Sequence, residues 1–182
     1  MNLTFTALTR ADLPLLGRWL TVPAVARWWA DPSDPAALER EYGPRIDGRD
    51  RVPTWIVHLD NRPIGLIQWY RYSDEREYLT QMRQIVPVPG DAVSIDYLIG
   101  EESALGRGVG PEMIDRLVRQ QWAVHDDAGD VVVAVHADNT RSWRALEKAG
   151  FSHAADGELD PDNPIDDRRH RIMVRRRMHH EP

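Results

Sequence analysis

At 182 residues and 42% hydrophobic content the chain has the length and apolar material of one domain with its own core, and with no cysteine it excludes disulfides, thiolate metal sites and a cysteine nucleophile. The formal net charge of −6 is unevenly placed: from Arg168 onward there are six arginines against one glutamate, a local +5, while the preceding residues carry 17 basic and 28 acidic side chains, −11. An acidic body disfavours nucleic acid and favours cationic partners, and solubility alone accounts for the same balance.

In chain order, residues Met1 to Thr6 lack the basic and long apolar regions of a signal peptide, and no apolar run reaches membrane-spanning length, so a cytoplasmic protein is expected. Leu3 to Leu8 alternates as a first strand. Thr9-Arg10-Ala11-Asp12 is a capping box opening a helix with Leu13, Leu16 and Leu20 inward. Ala24 to Trp29 follows Pro23, and the turn Asp31-Pro32-Ser33-Asp34-Pro35 caps a second helix running through Tyr42. Thr54 to Leu59 and Ile64 to Tyr72 form a hairpin around Asp60-Asn61-Arg62-Pro63. Ser73 to Asp91 reads as a long polar loop, longer than a connector needs.

Ala92 to Ile99 is the next strand, and a helix runs from Pro111 to about Ala123. Val131 to Val135 is a short buried strand; Asn139 to Ala149 is a helix with Gly150 as its C-cap. Phe151 opens a strand, Asp160 to Asp167 is a turn-rich loop, and Arg169 to Arg177 is the terminal strand. The order is β-α-α-β-β-β-α-β-α-β-β, a single α/β domain over 1–182.

Between the Ala92 strand and its helix lies Leu105-Gly106-Arg107-Gly108-Val109-Gly110. Alternating glycines let the backbone turn sharply with its N–H groups inward, and Pro111 suits the first helical position, so the loop delivers a helix N-terminus able to hold a pyrophosphate. The spacing is neither a Walker A loop nor a dinucleotide fingerprint, and a plain glycine-rich turn accounts for the same residues.

With Val135-His136-Ala137-Asp138-Asn139-Thr140-Arg141 and Glu147-Lys148-Ala149-Gly150-Phe151 downstream, the sequence resembles the GNAT acetyltransferase superfamily, in motif order and in spacing. Within it, Trp28-Trp29, Glu41-Tyr42 with Pro44, Pro63-Ile64-Gly65, Gln68 with Tyr70, Ile95-Asp96 and Pro161-Asp162-Asn163-Pro164 resemble the aminoglycoside 6'-N-acetyltransferases. The resemblance implies an acetyl-CoA co-substrate, no metal, and a mixed central sheet in which two central strands splay apart after Asp96, with flanking helices. It implies that the backbone of Leu98, Ile99 and Gly100 pairs with the pantetheine amides, that N–H groups of Gly106, Arg107, Gly108, Val109 and Gly110 hold the pyrophosphate, and that Asn139 meets the pantetheine arm. It assigns Trp29, Tyr42, Gln68, Asp96 and Asp162 to the pocket of a polycationic aminoglycoside. The chain departs from the family at Leu146, where many relatives place a tyrosine acid, and at Ala134, where they carry an aspartate; in the lengthened loop Asp74, Glu75, Glu77 and Tyr78 are pocket candidates.

Amine acetylation needs a neutral amine held against a thioester, an acceptor for its proton and support for the oxyanion. Asp96, between Ile95 and Leu98 on a strand, is the candidate to bind the ammonium and take its proton; an aspartate satisfied by neighbouring backbone or arginine is the alternative. Trp28, Trp29 and Tyr42 fit a core as well as a cleft, with one tryptophan expected buried and the other lining the cleft. Without a cysteine to carry the acetyl group, direct transfer in a ternary complex is expected, with a strand N–H near Leu98 as oxyanion donor. A siderophore-type hydroxylysine or protein-amine acyltransferase, or a non-catalytic acyl-CoA sensor, are the other functions compatible with these residues.

Overall fold

The computed structural model describes residues 2–161 and 163–178. Its strands are β1 (Leu3–Ala7), β2 (Thr54–Leu59), β3 (Arg62–Arg71), β4 (Val93–Ile99), β5 (Val131–His136), β6 (Ser152–Glu158) and β7 (Arg169–Arg175). The helices are α1 (Leu13–Leu20), α2 (Pro23–Ala26), α3 (Pro35–Ile46), α4 (Arg76–Met82), α5 (Val109–Val124) and α6 (Thr140–Lys148). The strands hydrogen-bond in the order β1-β2-β3-β4-β5-β7-β6. The pairs β1–β2, β2–β3, β5–β7 and β6–β7 are antiparallel, whereas β4 and β5 run parallel, paired at Val93↔Val131. This is the mixed α/β sheet with flanking helices that the sequence implied.

The described residues group into two compact units, interleaved along the chain. The first holds residues 2–70, 96–109 and 163–165. In it the hairpin turn is made by Asp60 and Asn61, both in the left-handed region (φ 50 and 64), as a two-residue turn between twisted strands requires. Its core joins Leu13, Leu16, Trp19 and Leu20 of α1 with Leu38 and Tyr42 of α3, Ile56, Leu66 and Leu98. Each such buried side chain contributes about 1.5–3 kcal/mol. Thr9 opens this unit's first helical stretch as expected, its N–H donating to Asp12 Oδ2 at 2.9 Å. Asp34 caps α3 by accepting from the Ala37 N–H at 3.0 Å. α3 runs past Tyr42 to Ile46 in spite of Pro44, since the residues after the proline still close helical bonds, Asp47 N–H to the Gly43 carbonyl at 3.0 Å.

The second unit holds residues 71–95, 110–161 and 166–178. Here the long loop expected over 73–91 is corrected: it contains α4, and Met82, Val86 and Val88 are buried with Tyr72, Ala92, Val132, Leu159, Ile172 and Val174. The Tyr78 ring stacks on Tyr72 at 5.5 Å, and so belongs to this apolar cluster; Asp74, Glu75 and Glu77 are exposed. α6 ends at Gly150 as read, and its N-cap is Asn139, which the sequence had placed inside the helix. Asn139 Oδ1 accepts from the Ser142 N–H at 3.2 Å. At the other end Gly150 (φ 86) donates to Glu147 and Phe151 to Leu146, both at 3.0 Å, a Schellman closure that needs glycine at the left-handed position.

Candidate active site

The strands set the site in the first unit. Gln68 and Tyr70 are two apart on β3 and so share one face, the face that meets Asp96 of β4. Gln68 Nε2 donates to Asp96 Oδ2 at 2.9 Å, and the Tyr70 hydroxyl lies 3.5 Å from Asp96 Oδ1. Asp96 is half-buried and Gln68 is buried. A carboxylate in this setting stays charged only where donors replace water, and Gln68 supplies one.

Helix α3 adds the next shell of groups. Glu41, Tyr42 and Arg45 lie on adjoining turns, so Arg45 reaches Glu41 one turn back and places its guanidinium 5.0 Å over the Tyr42 ring. Arg45 also donates to Asp50 Oδ2 at 3.3 Å and to Gln68 Oε1 at 2.7 Å. Tyr42 is fully buried, and its hydroxyl donates to Asp31 Oδ2 at 3.0 Å; Trp29 Nε1 donates to the same oxygen at 2.7 Å. Burial, then the Asp31 carboxylate, push the Tyr42 phenol well above the usual tyrosine range. Of the predicted pocket residues, Trp29, Tyr42, Gln68 and Asp96 are thus linked through Asp31 and Arg45. Both tryptophans are half-buried, where one was expected buried, and Arg27 lies 4.0 Å over the Trp28 ring. Asp162 lies outside the described residues.

The β4 backbone sets which way the peptide groups of Leu98, Ile99 and Gly100 face. A Cβ on Gly65 would lie 2.2 Å from the Leu98 carbonyl oxygen, and the Gly100 N–H donates to Ile64 at 2.9 Å. The peptide groups of Leu98 and Gly100 therefore face β3, and by strand alternation those of Tyr97 and Ile99 face the opposite edge of β4. A ligand along that edge meets Ile99 rather than Leu98 or Gly100.

The glycine loop keeps the conformation its sequence demands. Gly106 and Gly108 have φ of 72 and 77 and are exposed, with no atom within 4 Å of where a Cβ would stand, so the backbone angle and not crowding selects glycine. α5 begins at Val109, earlier than the expected Pro111, because the second left-handed glycine already turns the chain into the helix; Gly110 and Pro111 fall in its first turn, where a missing N–H costs nothing. In the second unit Asn139 commits its side-chain oxygen to the helix cap, leaving the amide NH2 as its outward donor.

Among the described residues His136, Asp138 and Asp167 form a group with metal-ligand atoms within 4.8 Å of one another. The donor set does not fit a cation. The Asp138 N–H donates to His136 Nδ1 at 3.2 Å, which puts the imidazole proton on Nε2, 3.2 Å from Asp167 Oδ1. Arg169 already pairs with both carboxylates, at 2.8 Å to Asp167 and 3.2 Å to Asp138.

Asp31, Arg45 and Tyr70 were not assigned roles from the sequence. Arg45 follows Tyr42 at helical spacing and Asp31 follows Trp29 by two, but only the tertiary fold brings them onto Gln68 and Tyr42.

A family model for the acetyltransferase (GNAT) domain matches residues 9–159. The chain belongs to this family of acyl-transfer enzymes. Two curated relatives, each an aminoglycoside N(6')-acetyltransferase type 1, from Klebsiella pneumoniae and Serratia marcescens, are each 26% identical over 166 residues, 90% of this chain and 80% of theirs. The structure of AAC(6')-Ib in complex with Parmomycin and AcetylCoA superposes with a TM-score of 0.79 at 23% identity, over 97% of this chain and 94% of that one. A second, of AAC(6')-Ib with coenzyme A and kanamycin, gives 0.78 at 24%, over 97% and 95%. These superpositions establish the fold. Among the described residues no helix is long and apolar enough to cross a membrane.

Proposed function

We propose that this chain, as one GNAT domain over 1–182, is an aminoglycoside 6'-N-acetyltransferase that moves an acetyl group from acetyl-CoA to the antibiotic amine. The observation that carries the reading is the half-buried Asp96 carboxylate, held by Gln68 and Tyr70. The similarity to named aminoglycoside N(6')-acetyltransferases supports the substrate class. Asp96 binds the substrate ammonium and accepts its proton, directly or through water, as the amine nitrogen attacks the thioester carbon. Placement matters more than basicity, since an aspartate is a weak base toward an amine in water.

The N–H groups of Gly106 to Gly110 and the start of α5 take the pyrophosphate, Asn139 the pantetheine arm, and the Ile99 N–H the developing oxyanion. Transfer is direct, in a ternary complex, because the sequence has no cysteine to carry an acetyl group. The thiolate leaves without a dedicated acid: a thiol's reference pKa of about 8.5 makes it a fair leaving group, so Leu146 in place of a tyrosine is tolerable.

Thiol release from acetyl-CoA, measured with a panel of aminoglycosides beside a peptide amine and a hydroxylysine, tests the reading. Turnover on aminoglycosides supports it; turnover confined to either other amine, or to none, overturns it. Asp96→Asn is expected to lower kcat/KM by about two to four orders of magnitude with acetyl-CoA affinity retained.

A further inference from the structure

The contacts around Gln68 form a chain with one direction. A guanidinium carries only donors, and an ionised carboxylate only acceptors. Gln68, buried between Arg45 and Asp96, satisfies both in one orientation of its amide: Oε1 toward Arg45 NH1 at 2.7 Å and Nε2 toward Asp96 Oδ2 at 2.9 Å. Arg45 is itself fixed by Glu41 and Asp50 and is mostly buried, its side chain 13% exposed. Glu41 and Asp50 together outweigh its single positive charge, so the favourable action of the arginine on Asp96 runs mainly through the amide that stands between them.

We infer that Arg45 is a positioning residue that locks the Gln68 amide with its NH2 on Asp96, and so keeps Asp96 ionised as proton acceptor. Without Arg45 the amide is free to turn and offer Oε1 to the carboxylate, an arrangement that only protonated Asp96 can satisfy. The groups that bear on Asp96 through these elements are Tyr70 and Gln68 from β3, and behind them Arg45, Glu41 and Asp50 from α3 and its C-terminal turn. The inference rests on Asp96 being the acceptor of the proposed reaction, but its test needs no substrate.

The experiment is carbon-13 NMR titration of the Asp96 carboxyl in the full chain, assigned with Asp96→Asn. Arg45→Ala is expected to raise the Asp96 proton affinity by about tenfold, one pKa unit, and Arg45→Lys, which restores a donor to Oε1, to recover part of that shift. In a Gln68→Ala background the same Arg45→Ala change should move the titration by less than about twofold, because the relay is already cut. Arg45→Met, which keeps the length of the stem without a donor, carries the test if Arg45→Ala does not fold. An Asp96 titration that Arg45 substitution leaves in place overturns the inference, and so does an equal shift with and without Gln68, which would mean direct action of charge. Absence of aminoglycoside turnover would sink the proposed substrate and leave this measurement standing.

Discussion

The indole of Trp19 fills the space that a side chain at Gly100 would need: a Cβ there would lie 2.0 Å from Trp19 Cγ. The same indole donates from Nε1 to Glu101 Oε1 at 2.8 Å, so it is held on both sides and cannot swing away. Gly100, whose backbone the resemblance paired with the pantetheine amides, lacks a side chain because a tryptophan of α1 fills the space.

Gly100 and Gly108 therefore fail in different ways. Gly100→Ala is expected to destabilise by about 1–3 kcal/mol through overpacking, with a fall of several degrees in Tm. Gly108→Asp meets no neighbour; its cost is the left-handed backbone, about 1 kcal/mol, and a negative charge where the pyrophosphate would lie. Acetyl-CoA affinity should fall by more than about tenfold, or about 1.4 kcal/mol, in calorimetry on the folded variant. Unchanged affinity would remove the loop from the pyrophosphate site.

Leu146 is fully buried, and its carbonyl closes the α6 cap onto Phe151. Leu146→Tyr therefore inserts a larger, polar-tipped ring into packed surroundings. We expect about 1–3 kcal/mol of lost stability and less than about threefold change in kcat. A kcat gain of tenfold or more in a variant that melts normally would show that the departing thiolate needed an acid.

Acid stability should depend on Asp115. Desolvation alone would raise its carboxyl, but hydrogen bonds from Arg119 at 2.9 Å and Arg175 at 2.7 Å outweigh it and hold the group below the usual carboxylate range. A carboxylate depressed in the folded state gives stability that is complete above the unfolded aspartate value of about 3.9 and is lost as pH falls through the lower folded value. Tm of Asp115→Asn should thus sit below that of the parent at neutral pH, with the gap narrowing below about pH 4. A gap independent of pH would show that packing, not ionisation, is what the substitution removes.

The acidic body predicts a response to salt. The Debye length shrinks from about 10 Å at 0.1 M to about 3 Å at 1 M, so KM for a polycationic aminoglycoside should climb steeply over that range while kcat changes little. A singly charged amine should respond more weakly. A flat KM for the aminoglycoside would argue for a substrate of lower charge.

Much of the fold was legible because its signals are local. The Asp34 cap and the Gly150 stop each depend on a few consecutive residues and lie where the sequence put them, and the hairpin turn falls within the expected Asp60 to Pro63, tightened to Asp60-Asn61. α4 was not legible: Arg76–Met82 is polar along most of its length, and the cluster that its apolar residues Tyr78, Leu79 and Met82 join is completed by Val132 of β5 and Ile172 and Val174 of β7, remote in sequence. At the site, Gln68 and Asp96 could be named from motifs that a resemblance supplies. Arg45 and Asp31 could not, since a charged residue on a polar helix or in a turn reads as solvent-facing until Gln68 and Tyr42 are folded against it.

The phenol of Tyr42 has a property of its own. With its proton held by burial and by Asp31, it remains a neutral dipole throughout the range in which an enzyme of this kind is assayed. The bond that it donates to the Asp31 oxygen shared with Trp29 Nε1 therefore keeps its direction as the solution is made alkaline. An alkaline change in rate is then to be sought in groups other than this buried phenol.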